Sequence, residues 1–538
     1  MKCFRLLVLF FISSALSAQE LKQPKLVVGI VVDQMRPDYL YRFYNRYGAD
    51  GFKRMMNDGF VCGNTFIPYT PTYTAPGHTC IYTGSVPALH GIVGNNWYDK
   101  EKRKNVYCTD DSSVTSVGST SAAGKMSPRN MWATSIADEL RLSTNFRSKT
   151  IGIALKDRGS ILPAGHSANA AYWFDNASGG WITSTYYMQA LPTWLMQLNA
   201  KNLPDAYLAK SWNTLYPIET YVQSTADAKS YEGILPGEDE TFPHRTDNLK
   251  NNKYESFRVT PYGNTYTIDA AKAAIEGEAL GSRGVTDLLA VSFSSPDYIG
   301  HAFGPNSIEV EDTYLRLDKD LSDFFTYLDN KIGKGQYLVF LTADHAVAHV
   351  PGFAKENKIP AATTSSSSLR RSLNDTLQKE FGTGNYILSV INYQVHLNND
   401  LIQANKLDRT AIKKAIIKTL MTQPGVMRAV DFENLTDAAL PQPVYTMLAN
   451  GYNQKLSGEV QFIYKPGWFD GGESGTTHGS WNPYDSHIPL LWYGWGIKKG
   501  KTNREIYMTD IAPTLAALLQ IQLPNASIGK VIGEVSGQ

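Results

Sequence analysis

Several near-continuous apolar runs stop abruptly at polar residues, and no other feature constrains the fold as strongly. Leu26 to Val32 ends at Asp33, and Thr150 to Leu155 ends at Lys156. Leu288 to Phe293 leads into Ser294-Ser295-Pro296-Asp297, and Tyr337 to Leu341 into Thr342-Ala343-Asp344-His345. Ile488 to Trp492 runs on toward Gly494. Apolar strands without alternation suit a sheet covered on both faces. Helical patterns alternate with them. Trp132 to Leu142 is amphipathic, Val310 to Leu328 carries spaced charges, and Thr509-Asp510 can cap a helix through Leu519. The alternation predicts an α/β domain with a mainly parallel central sheet and helices on both faces. In such sheets ligands gather at the carboxyl ends of the strands, where these polar clusters fall.

Two stretches break the rhythm. Residues 166–255 are rich in Tyr, Trp, Asn and Ser, and residues 352–470 begin near the serine run Ser365 to Ser368. Both read as insertions, the second as a cap, returning to one core built from 19–165, 256–351 and 471–538. The chain has 538 residues, enough for such a core with inserted subdomains. Its formal net charge of +1 gives no bulk attraction to nucleic acid.

The N-terminus has the form of an export signal. Lys2 and Arg5 precede the short apolar run Leu6 to Leu16, and Ala15-Leu16-Ser17-Ala18-Gln19 offers a small-residue cleavage site. Residues 1–18 are therefore expected to be removed, placing the protein in the periplasm or outside the cell. An uncleaved anchor is the alternative. Cleavage removes two positive charges from the +1 total, leaving −1. No other stretch reads as membrane-spanning, so stable membrane insertion is not expected. Cys62, Cys80 and Cys108 remain, allowing at most one intramolecular disulfide of undetermined pairing.

The strand-end residues include ligand types for a hydrolytic metal. Asp297 and His301 are four apart, so one helical turn could bring both to one ion. Asp344 and His345 are adjacent, Asp33 follows the first run, and His478 sits in the glycine-flanked Gly475-Thr476-Thr477-His478-Gly479. Singly, each is more often a turn former, a helix cap or a satisfied polar residue than a ligand. Together they supply three Asp and three His, enough for two ions once a nucleophile is added. Pro71-Thr72-Tyr73-Thr74-Ala75-Pro76-Gly77-His78-Thr79 places Thr74 where a helix could begin, with N–H groups and a positive dipole end nearby. From spacing alone Thr74 is more readily a plain helix cap than a nucleophile, and its hydroxyl needs a metal to ionise.

This stretch, with Thr83-Gly84 and His90-Gly91-Ile92-Val93-Gly94-Asn95, resembles the alkaline phosphatase superfamily, in its nucleotide pyrophosphatase/phosphodiesterase-like branch. Asp33, Asp297-x-x-x-His301 with Gly304-Pro305, Asp344-His345, His478-Gly479 and Asp510 to Leu515 follow in the expected order. The resemblance implies an alkaline-phosphatase-like core and two zinc ions. It implies that Asp297, His301 and His478 hold one ion. Asp33, Asp344, His345 and the Thr74 oxygen would hold the other. Asn95 would donate to a phosphoryl oxygen, and His349 is a candidate supporting residue. Lys156-Asp157-Arg158, continuing to His166, resembles the PafA-type alkaline phosphatases, which place a Lys and an Arg here. Fixed cations suit the dianion of a phosphate monoester. The expectation is an exported two-zinc phosphomonoesterase acting through a phospho-Thr74 intermediate on small-molecule monoesters, with oligomeric state unknown and a monomer the default. The rivals are a phosphodiesterase or nucleotide pyrophosphatase on the same core and a non-catalytic binding protein on a phosphatase scaffold. A sulfatase is disfavoured because Thr74 stands where those enzymes need Cys or Ser.

Overall fold

The computed structural model describes residues 23–235, 241–249 and 253–536. The expected signal segment, residues 1–18, and Cys3 lie outside the described residues. The longer strands of the central sheet before the second expected insertion are β1 (Leu26–Val32), β2 (Phe60–Phe66), β3 (Thr150–Ala154), β4 (Ala170–Phe174), β5 (Trp181–Ser184), β6 (Asp287–Phe293) and β7 (Tyr337–Thr342). Then β8 (Ile387–Ile391), β9 (Gln394–Leu397), β10 (Val426–Asp431) and β11 (Val460–Tyr464) form a separate sheet, before β12 (His487–Gly494) returns to the centre.

The central sheet has 11 strands, and its principal order is β2-β12-β7-β1-β6-β3-β4-β5. From β7 through β4 every pairing is parallel, whereas β12 and β5 run antiparallel to their neighbours. Every residue of β1, β6 and β7 is buried, so helices and loops cover both faces. Register aligns the carboxyl ends. Val31 faces Thr342, Val32 faces Phe293, and Ala154 faces Ser292. Asp33, Lys156, the residues after Phe293 and those after Thr342 therefore emerge along one edge.

Four helices matter for the site: α1 (Thr74–Thr83), α2 (Asp157–Ala164), α3 (Ser295–Phe303) and α4 (Ile308–Leu328). All ten residues of α1 are buried. It crosses β1 at Gly29, whose missing side chain admits Tyr82; the Tyr82 hydroxyl donates to the Gly29 carbonyl at 3.2 Å. The Ser307 hydroxyl accepts from Val310 N–H and starts α4. Asp510 caps differently from the sequence reading. Its carboxylate accepts from Tyr507 and Lys530 N–H instead of its own helix, Ile511–Leu519.

The first expected insertion begins later than residue 166, because β4 and β5 extend the central sheet. Their short apolar runs are masked in sequence by the surrounding aromatic and polar residues. Beyond them the chain packs onto α4 through buried Asp312, which accepts from Trp212 Nε1, Leu215 N–H and Tyr221 OH. The β8–β11 unit has its own apolar core around Leu373, Ile416, Val460 and Phe462. Cys62, Cys80 and Cys108 are all free and buried, and burial pushes the Cys62 and Cys108 thiols up to about 12. Among the described residues no helix is long and apolar enough to cross a membrane.

Candidate active site

The strand-end residues converge. Asp33 follows β1, Asp344 and His345 follow β7, and α3 carries Asp297 in its first turn and His301 in its last. His478 reaches in from the loop before β12. His345 Nε2 lies 3.4 Å from Asp33 Oδ1, 3.6 Å from Asp344 Oδ2 and 4.0 Å from Asp297 Oδ1. His301 and His478 both turn Nε2 toward Asp297 Oδ1, at 3.2 and 3.7 Å. Two groups have metal-holding spacing, Asp33/Asp344/His345 and Asp297/His345/His478, so His345 stands at their junction. The His345 and His478 rings stack with centroids 3.4 Å apart. Thr74 begins α1, and its Oγ1 is 3.5 Å from His345 Nε2.

The imidazoles are held in one tautomer. His301 Nδ1 pairs with the Thr476 carbonyl at 2.7 Å, His478 Nδ1 with the Thr72 carbonyl at 2.7 Å, and His345 Nδ1 with the Ala346 carbonyl at 3.1 Å. A carbonyl only accepts, so each Nδ1 carries the hydrogen in the neutral ring. Each Nε2 is then a bare lone pair facing carboxylates, the arrangement a metal ligand requires. Asp33 Oδ1 is buried without a hydrogen-bond donor. These residues fit a divalent cation with nitrogen and oxygen ligands.

The electrostatics agree with that fit. Burial and the Asp344 charge push the Asp33 carboxyl well above its usual range, against the pull of Lys156. Burial would also raise Asp297, but His301 and Lys156 hold it well below. Asp344 is likewise lowered by His345 and His78 despite burial. Burial, then the neighbouring His345 and His301, depress His478, keeping it neutral and able to ligate. Three buried carboxylates face a single lysine, so further positive charge is needed to offset their desolvation.

Lys156 precedes α2, and its ammonium bridges Asp33 and Asp297 while covering the Tyr298 ring at 4.9 Å. Arg158 turns instead to the Tyr107 hydroxyl, at 2.9 Å. The two cations thus share the edge but hydrogen-bond to different groups. Asn95 Oδ1 accepts from Ala75 N–H at 2.8 Å, which directs its amide nitrogen away from the α1 backbone. His349 is bonded to Asn306 at 2.6 Å.

Sequence reasoning missed Gln34. It sits at φ 66°, donates from its backbone N–H to Asp344 Oδ1 and donates Nε2 to Asp297 Oδ1 at 2.7 Å, tying the two groups together. Gly300 makes room for it, since a Cβ there would meet Gln34 Oε1 at 1.9 Å. Only its position after Asp33 could have marked it. His78 lies behind Asp344, with Nδ1 3.1 Å from Oδ2 and Nε2 on the Ser292 hydroxyl at 2.8 Å. Its Nδ1 pairs with the Thr74 carbonyl at 2.9 Å, so it ties the start of α1 to β6 beside Asp344, and its place in the threonine motif was the available signal.

A buried His/Asp cluster on the carboxyl edge of a parallel sheet, with a threonine at a helix start beside it, defines a class of phosphoryl-ester hydrolase fold. The chain belongs to the type I phosphodiesterase / nucleotide pyrophosphatase family, whose model matches residues 27–485. It is 54% identical to alkaline phosphatase PhoV of Synechococcus elongatus, over 96% of this chain and 94% of that one. It is 52% identical to a Myroides odoratus protein named calcium-transporting ATPase, over 98% of each. Alkaline phosphatase PafA of Elizabethkingia meningoseptica is 49% identical over 99% of each chain. The crystal structure of wild-type PafA superposes with a TM-score of 0.94, covering 96% of this chain and 99% of that one.

Proposed function

We propose that this chain is an exported alkaline phosphatase that hydrolyses phosphate monoesters through a phospho-Thr74 intermediate, with two zinc ions bound. The observation that carries the reading is the set of three imidazoles, each pinned through Nδ1 to a carbonyl and each aiming Nε2 at buried carboxylates beside Thr74. Asp297, His301 and His478 would hold one zinc. Asp33, Asp344, His345 and the Thr74 oxygen would hold the other. Bound zinc would supply the charge that acidifies the Thr74 hydroxyl and stabilises the leaving oxygen.

The chain's own residues do the rest. The start of α1 directs N–H groups and a positive dipole end toward Thr74 Oγ1, which favours an alkoxide and an approaching anion. Thr74 Oγ1 attacks phosphorus in line, the ester P–O bond breaks and the alcohol departs. Water then cleaves the Thr74–phosphoryl bond, releasing inorganic phosphate and restoring the hydroxyl. Asn95, Lys156 and Arg158 bind the non-bridging oxygens. Lys156 and Arg158 support monoesters over diesters, because a monoester carries one more negative charge. The names of the PhoV and PafA relatives support the same choice.

The test is acid quenching of the zinc-loaded enzyme during turnover of a labelled aryl phosphate. Label should appear on Thr74 in the parent and be absent from Thr74→Ala, with turnover reduced ~10³-fold or more. A Thr74→Ala enzyme with parental turnover would sink the scheme. Export is read separately: the mature protein recovered from the periplasm or medium should begin at Gln19.

A further inference from the structure

β8 and β9 pair antiparallel with Ile391 opposite Gln394, so Asn392 and Tyr393 alone make the turn. Both have positive φ, 57° and 60°, the pattern of a type I′ hairpin. Asparagine tolerates this conformation. A bulky aromatic residue adopts it only where surrounding contacts offset the strain. Here the surroundings are the candidate site.

The Tyr393 hydroxyl donates to the His478 carbonyl at 3.3 Å. Its ring stacks with Tyr73, centroids 6.5 Å apart, and Tyr73 meets the His478 imidazole edge-on at 5.5 Å. Gly479 follows His478 at φ 119°. A Cβ there would lie 2.6 Å from the Tyr73 ring and 3.0 Å from the Tyr393 hydroxyl. Only glycine leaves both tyrosines against this loop. On the other side of the turn, Asn392 Nδ2 donates to the Asn96 carbonyl at 2.8 Å, one residue beyond Asn95. One two-residue turn therefore grips the His478 loop, the residue before Thr74 and the Asn95 loop.

We propose that the Asn392–Tyr393 turn of the inserted unit is a positioning device that sets the His478 loop against the Asn95 loop. It holds a metal ligand and a phosphoryl-binding amide at fixed spacing. The inference rests on the reading of His478 as a ligand and Asn95 as a phosphoryl contact. Tyr393 and Asn392 touch no reacting group; they act through His478, Tyr73 and Asn96.

Tyr393→Gly gives the test its edge. It creates Asn-Gly, the preferred sequence for this turn, so the hairpin itself is relieved of strain. The full-length parent, Tyr393→Gly, Tyr393→Phe and Asn392→Ala are compared by melting of the metal-free protein, zinc affinity in chelator competition, and kcat and KM on an aryl phosphate. Tyr393→Gly relieves the turn but gives up the ring's packing on Phe462 and Tyr464, so its melting is recorded beside zinc affinity, which should fall ~10-fold or more, as when a partner supporting a ligand is lost. Tyr393→Phe keeps the ring and loses the hydroxyl, so it should fall between. Asn392→Ala should raise KM with zinc affinity unchanged. Parental zinc affinity and kcat/KM in Tyr393→Gly would overturn the proposal. If that variant does not fold, parental affinity in Tyr393→Phe does so. A parent that binds no zinc overturns the metal reading, and this inference with it.

Discussion

Lys156 and Arg158 are where the choice of substrate is most directly exposed. The Lys156 side chain is 1% accessible and bridges Asp33 and Asp297, and burial opposed by those two carboxylates leaves its pKa raised, so it stays charged. Arg158 is steadied by the Tyr107 hydroxyl, which also donates to Asp157 at 2.8 Å. Arg158 is therefore preorganised, whereas Lys156 would have to turn from its two carboxylates toward an arriving anion. A hydrogen bond to a charged group contributes ~1.5–3 kcal/mol. Losing both in Lys156→Ala/Arg158→Ala should cost a monoester about 3–6 kcal/mol of transition-state stabilisation, or ~10²–10⁴ in kcat/KM. A methyl aryl diester has one fewer charged oxygen and loses one such contact, so its kcat/KM should fall ~10–10². The assay compares both substrates on zinc-loaded parent and variant. Zinc content is measured first, because removing Lys156 also strips a counter-charge from Asp33 and Asp297. With equal zinc, the monoester-to-diester preference should fall ~10-fold or more. An equal loss on both substrates would refute the assignment of these cations to the dianion.

Other outcomes follow from the packing. A Cβ on Gly77 would sit 2.5 Å from the Asp344 carbonyl and 2.6 Å from its Cβ, so α1 rests directly on the Asp344 segment. Gly77→Ala should push Thr74 off its alignment and lower kcat by ~10² with the fold retained, as circular dichroism and turnover would report; parental kcat contradicts this. Glu232 is pushed up to about 9 by burial and by Glu309, from an ordinary 4.5. Between those values the folded chain keeps a proton that the unfolded chain has lost, so this group's contribution to stability falls as pH rises through that window. Glu232→Gln should change the melting temperature little near pH ~4 and raise it by ~2 °C or more near pH ~8. A gain no larger at the higher pH would argue against a buried protonated Glu232.

The site was legible in sequence where chemistry and chain order coincide. Asp33, Asp297 and Asp344-His345 each terminate an apolar run, and a parallel sheet sends such ends to one edge whatever the connections between them. The Asp297–His301 spacing became a helical turn because α3 starts within two residues of β6. Gln34 and the strands β4 and β5 were not legible. Neither shows in its local pattern: Gln34 gains its role from Asp297 and Asp344 far along the chain, and the short runs of β4 and β5 are masked by the aromatic and polar residues around them.

That division has a consequence for how the molecule divides its work. The candidate ligands Asp33, Asp344 and His345 stand at the ends of strands that are buried throughout, and Asp297 and His301 on the helix that follows β6. His478 is the exception, since it arrives on a loop with glycines at 475 and 479, both at positive φ. A ligand on such a loop needs outside restraint to be held as firmly as one at a strand end. The Thr72 carbonyl fixes its ring and Tyr393 its backbone, one from the nucleophile segment and one from the inserted unit. On the proposal above, the β8–β11 unit would supply the restraint that neither a strand end nor helix α3 gives to the His478 loop.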